Sequence, residues 1–163
     1  MLVGKLFAPK WKHRKNDVRK RALLDLVPSR RESQKIYLEM VQTDPDTEIR
    51  KLAVKRIDDI SQLLDVAGTQ FDSLGEDINK RLGQCISQAD IKEEQIEPLN
   101  QYLHKYANSQ LLLLVLDQSS QQSLRELALL RIDKNATYAD TAMTDKNASL
   151  RLLAVEHIEK IST

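Results

Sequence analysis

Apolar residues recur along this chain at i, i+4, i+5 and i+8, a spacing that gathers them on one face of a helix. The set reads Val18, Ala22, Leu23, Leu26, then Ile49, Ala53, Val54, Ile57. It returns as Leu124, Ala128, Leu129, Ile132 and again as Leu150, Ala154, Val155, Ile158. An arginine follows the first apolar residue each time: Arg19, Arg50, Arg125 and Arg151. A fainter copy, Ile78, Leu82, Ile86, has Asn79 in place of the arginine and Gly83 in place of an aliphatic residue. One helical unit returning at intervals near thirty residues is the pattern of stacked helical repeats. The alanine in each copy is small enough for a neighbouring helix to approach closely, while the aliphatic residues fill the core.

Second helices are expected between the motif helices. Ser29 and Glu32 have capping-box spacing and would open a helix through Ile36, Leu38, Met40 and Val41. Another is predicted from Ile60 to Ala67, ended by Gly68. Leu111 to Leu116 and Ala136 to Met143 supply two more. Start signals precede the motif helices. Asp44 would cap a helix with Pro45 at its first position, Ser73…Glu76 and Ser119…Gln122 have capping-box spacing, and Asp145 precedes the last copy. Asp-Lys-Asn-Ala occurs at 133–136 and 145–148, which reads as one turn chemistry used twice.

The spacing between copies is uneven. First positions 18, 49, 78, 124 and 150 give steps of 31, 29, 46 and 26 residues. The longest step leaves room for an extra helix over Gln95–Tyr106, carrying Ile96, Leu99, Leu103 and Tyr106, or starting at Glu97 because of Pro98. Irregular packing is expected near residues 88–108, with Asp90, Glu93, Glu94 and Glu97 on an exposed edge.

Composition narrows the class. Hydrophobic content of 41% with 30% charged residues describes a chain that folds. Only four glycines and four prolines in 163 residues favour helix throughout, and 4% aromatic content makes the core aliphatic. The single cysteine, Cys85, excludes an internal disulfide framework and falls among apolar positions, where a buried thiol is expected. No apolar run is long enough for a membrane span, so a cytoplasmic location is the default expectation. Net charge is +1 but uneven. Residues 1–35 hold eleven Lys/Arg against three Asp/Glu, and the remainder fourteen against twenty-one. A basic end and an acidic flank follow.

Hairpins whose second helix begins aliphatic-Arg and continues small-aliphatic resemble HEAT and HEAT-like repeats, over about residues 16–163. Leu6-Phe7, Pro9-Lys10-Trp11 and His13 also resemble the start of large uncharacterised bacterial proteins with HEAT-like repeats ahead of a long charged helical region. That resemblance implies a fragment of a longer protein. The HEAT resemblance implies a right-handed α-α superhelix that binds another protein or, less often, nucleic acid, usually without catalysis. Residues 1–15 form a basic segment expected to cap the repeats.

Candidate chemistry is sparse. His13, His104 and His157 are far apart, and no phosphate loop or nucleophile motif is present. No enzyme activity, cofactor or metal is therefore expected. Arg19, Arg50, Arg125 and Arg151 have two readings: a ladder of ion pairs holding neighbouring repeats, with Asp46 or Asp145 as partners, or a row of cations for a ligand. Lys10, Lys12, Arg14, Lys15, Lys20 and Arg21 surround Trp11, with Arg30 and Arg31 following, and form a candidate polyanion surface. The alternative is that Trp11 and Phe7 fold back to cover the first repeat, leaving the lysines to solvate that cap.

Overall fold

The computed structural model describes residues 8–88 and 90–161. Among them are nine α-helices and no strand, so the fold is all-α. The Leu6–Phe7 part of the N-terminal pattern lies outside the described residues. By internal contacts the chain forms two compact units, Met1–Ile78 and Asn79–Thr163.

The first unit holds a short 3-10 turn, Lys10–Lys12, then α1 (Asn16–Asp25), α2 (Arg31–Thr43), α3 (Thr47–Val54) and the start of α4 (Ile60–Gln88). The 3-10 turn packs on α1, α2 pairs with α3, and α1 lies beside α3. Leu23, Val41, Ala53, Val54, Ile57 and Leu63 are fully buried in it. At roughly 1.5–3 kcal/mol for each buried aliphatic side chain, this apolar set is the main favourable term. Gln34 ties the two ends of the α2–α3 hairpin. Its amide donates to the Pro28 carbonyl (2.7 Å) and the Arg56 carbonyl (3.1 Å), and its oxygen accepts from the Asp58 N–H (3.2 Å).

The second unit continues α4 and adds α5 (Glu93–Lys105), α6 (Ser109–Gln118), α7 (Gln122–Ile132), α8 (Asn135–Thr144) and α9 (Ala148–Ile161). Here α6 pairs with α7 and α8 with α9, α7 lies beside α9, and α5 packs on α7. Leu99, Leu103, Leu124, Leu129, Leu150 and Ala154 are fully buried. Gly83 sits where other copies carry an aliphatic residue because α6 comes close. A Cβ there would meet Leu114 at 3.3 Å.

Several local expectations are corrected. The predicted break at Gly68 does not occur. Residues 60–88 form one helix, no described glycine has positive φ, and no proline interrupts the segment. A single glycine costs about 1 kcal/mol in a helix interior, too little to stop one anchored by buried Leu63, Val66, Leu74, Ile78 and Leu82. Ser73 therefore caps nothing, and its hydroxyl donates to the Gln70 carbonyl at 3.3 Å. Ser29 does not cap α2, whose N-cap is Arg30 without a side-chain bond. The cap of α3 is Asp46 rather than Asp44, with Pro45 in the turn before it. Asn147, not Asp145, accepts from the first N–H groups of α9, at 2.9 Å from Ser149 and 3.3 Å from Leu150. Helix α5 starts at Glu93, before either predicted start, and carries Pro98 in its interior. Pro98 is exposed, so water can take the Glu94 carbonyl that loses its helical donor. The two Asp-Lys-Asn-Ala segments both lead into a helix but differ in conformation: α8 already begins at Asn135, whereas α9 begins only at Ala148. Asp133 is left-handed (φ 45°, ψ 53°), while Asp145 is extended (φ −66°, ψ 138°).

Candidate interaction surfaces

One turn geometry precedes four motif helices. The residue five places before the first apolar position accepts a hydrogen bond from the backbone N–H two residues on. His13 Nδ1 accepts from Lys15 (3.1 Å), Asp44 Oδ1 from Asp46 (2.9 Å), Ser119 Oγ from Gln121 (3.2 Å) and Asp145 Oδ1 from Asn147 (2.8 Å). Such side-chain-to-backbone bonds replace a helical bond with a turn. Where that residue is aspartate, the arginine of the preceding copy reaches it.

Arg19 shows the complete arrangement. Its Nε and Nη2 clasp Asp44 at 2.8 and 2.9 Å, Nη2 also donates to Asn16 Oδ1 at 2.9 Å, and Nη1 donates to the His13 and Arg14 carbonyls at 2.9 and 3.3 Å. All five guanidinium donors are used on a side chain that is 5% exposed. The bonds to Asp44 hold its pKa above the ordinary arginine value against the opposing effect of burial. Asp46, named with Asp145 as an arginine partner from sequence, instead caps α3 and accepts from Asn16.

In the second unit Arg125 pairs with Asp145 through Nη2 and donates from Nε to the Leu116 carbonyl at 2.6 Å. Arg50 meets a serine where an aspartate would stand. Its Nη2 donates to Ser73 Oγ at 2.9 Å, and its Nε is buried without a partner. Asn79, in the arginine place of the fainter copy, serves α5. Its Oδ1 accepts from the Tyr102 hydroxyl (3.1 Å), and its Nδ2 donates to the Tyr106 carbonyl (3.3 Å). Burial of that phenol pushes the Tyr102 pKa well up. Arg151 donates from Nη1 to the Asp145 and Lys146 carbonyls at 2.9 and 3.2 Å, repeating half of the Arg19 pattern.

The candidate polyanion residues Lys10, Lys12, Arg14, Lys15, Lys20 and Arg21 are all exposed. Lys12 pairs with Glu39, and the other five have no acidic partner among the described residues. Trp11 is half-buried with its indole N–H buried and unbonded, so it is a poor stacking platform. It lines a recess of about 490 Å³ with Met40, Thr43 and Pro45, over the Arg19–Asp44 pair.

An apolar recess of about 690 Å³ lies between α5 and α7. Leu127 and Leu130 form its apolar wall, and Leu130 is 39% exposed. Glu97 and Glu126 stand on its rim, as do His104 and Lys105. His157 stacks on Tyr138 with ring centres 5.2 Å apart, and Cys85 is buried. Among the described residues no group of three His, Cys, Asp or Glu side chains could hold a metal ion, and no helix is long and apolar enough to cross a membrane.

Of the two aspartates five places before the first apolar residue of a motif helix, Asp145 was legible as an arginine partner, and Asp44 only as a cap. The signal that could have found Asp44 is the constant distance, five residues before Ile49 and Leu150. Comparison with protein-family models, with curated proteins and with solved structures found no match in any of the three.

Proposed function

We propose that this chain is a HEAT-like repeat module that binds another protein and performs no chemistry of its own. The paired helices α2–α3, α6–α7 and α8–α9 and the recurring arginine–turn contacts support the repeat reading, of which right-handed superhelical stacking is a part. The recess between α5 and α7 carries the functional part of the proposal. Its leucine wall suits the apolar face of a short amphipathic helix. Its rim asks for a basic residue against Glu97 and Glu126 and an acidic one against His104 and Lys105.

Selection from a displayed library of amphipathic helices tests this with the intact chain as bait. The expected winners carry leucine anchors with that charge order and lose binding to L127E and L130E. Winners indifferent to both substitutions would overturn the proposal.

A second reading rests on five exposed cations without acidic partners: Lys10, Arg14, Lys15, Lys20 and Arg21. It expects salt-sensitive binding of labelled DNA or RNA. Affinity and salt slope that stay unchanged when Lys10, Arg14 and Lys15 become glutamate would remove it.

A further inference from the structure

The position five residues after the first apolar residue of each copy is normally sealed. Leu23, Val54 and Leu129 occupy it, each 0% exposed, and Val155 occupies it in α9 at 42% exposed. Two side chains share the Val155 face of the helix by their spacing: Leu152, three residues before, and Arg151, four before. Leu152 is 60% exposed. Its place is taken by Lys20, Lys51 and Glu126 in the other good copies, so α9 alone puts leucine where the rest put charge.

Arg151 adds direction to this apolar face. Its Nη1 is fixed by the Asp145 and Lys146 carbonyls, as that of Arg19 is by the His13 and Arg14 carbonyls. In Arg19 the opposite edge, Nε and Nη2, clasps Asp44 of the next hairpin. In Arg151 that edge has no partner among the described residues. A pre-positioned guanidinium fork beside exposed leucine and valine is matched by a carboxylate beside apolar side chains.

We infer that this face of α9 docks a helical hairpin of a partner protein whose turn carboxylate enters the open edge of Arg151 while its apolar side chains cover Leu152 and Val155. A second copy of this chain fits poorly. Its first turn would bring His13, Arg14 and Lys15 against Arg151, and a symmetric contact would set Arg151 against itself. The occupant is therefore acidic at its turn and is not a second copy of these residues.

A synthetic peptide of residues 31–57 is the probe, because that hairpin carries Asp44 in its turn and meets Arg19 in the first unit. Titrated into the intact methyl-labelled chain, it should shift the Leu152 and Val155 methyl signals by NMR. R151E should weaken binding about tenfold or more, and a peptide with Asp44→Lys should restore it. V155E, at an exposed site, should abolish the shifts without unfolding the chain, and L130E should leave them intact, which separates this surface from the α5–α7 recess. Absence of binding at millimolar peptide, shifts confined to other residues, or binding indifferent to R151E would each overturn the inference. So would self-association of the chain that V155E removes, since the face would then belong to a second copy.

Discussion

Replacing Gly68 by alanine separates two accounts of residues 60–88. If a helix ended at Gly68 with that residue left-handed, alanine would bring a Cβ into a conformation costing about 1–2 kcal/mol. In the structure Gly68 lies inside α4, is exposed and has no positive φ, and a Cβ built on it meets nothing within 4 Å. No clash then offsets the gain in helix propensity, which is about 0.8–1 kcal/mol for glycine to alanine in an exposed interior. For a chain of this size that raises Tm by about 2–4 °C. G75A is the internal control. Its Cβ would stand 2.9 Å from the Phe71 ring, so the ring must move and the gain should shrink or vanish. Thermal melts followed by circular dichroism, with urea titrations for the free energies, read both variants. A fall in stability for G68A would refute the single-helix account of α4.

R19A should cost about 3–5 kcal/mol by urea denaturation, because it strands the Asp44 carboxylate, 2% exposed as a side chain. Joint replacement of Arg19 and Asp44 by apolar residues should cost much less than the two single changes added together, and additive costs would count against a buried pair. S73D should stabilise the chain by about 0.5–1 kcal/mol by offering Arg50 the carboxylate that Asp44 offers Arg19, after a loss to repulsion from Asp72 and Asp77. The gain should disappear in an R50A background. The Tyr138 hydroxyl is pushed up to about 12, first by burial and then by its bond to Asp133. A raised folded-state value means stability held below pH ~10 and lost as pH climbs to about 12. Y138F should flatten that part of the alkaline stability curve, and an unchanged curve would exclude Tyr138 as its cause.

The motif helices could be placed from sequence because each keeps its apolar residues in one phase, as Ile49, Ala53, Val54 and Ile57 do in and just beyond α3. Their caps could not be fixed. Asp44 and Asp46 stand two residues apart before the same helix, and only the packing of α1 against α3 decides which one faces Arg19. Gly68 read as a stop because glycine is the usual helix terminator. That local preference is weaker than the burial of apolar side chains on both sides of it. The place of Asn79 was visible as a broken copy, but its reason was not. It accepts from the hydroxyl of Tyr102, 23 residues later, a distance no periodicity argument reaches. The α9 face was foreshadowed only by Leu152 standing where other copies carry Lys or Glu.

Helix α4 has a bearing on how the chain unfolds. The boundary between the two compact units falls inside it, between Ile78 and Asn79, where each turn is bonded to the next. A flexible linker would let either unit melt alone. A shared helix makes the melting of one unit fray the other's first element, because helix ends propagate far more readily than new helices nucleate. The chain should therefore show coupled transitions. Gly68, Gly75 and Gly83 set how readily that fraying travels along the helix.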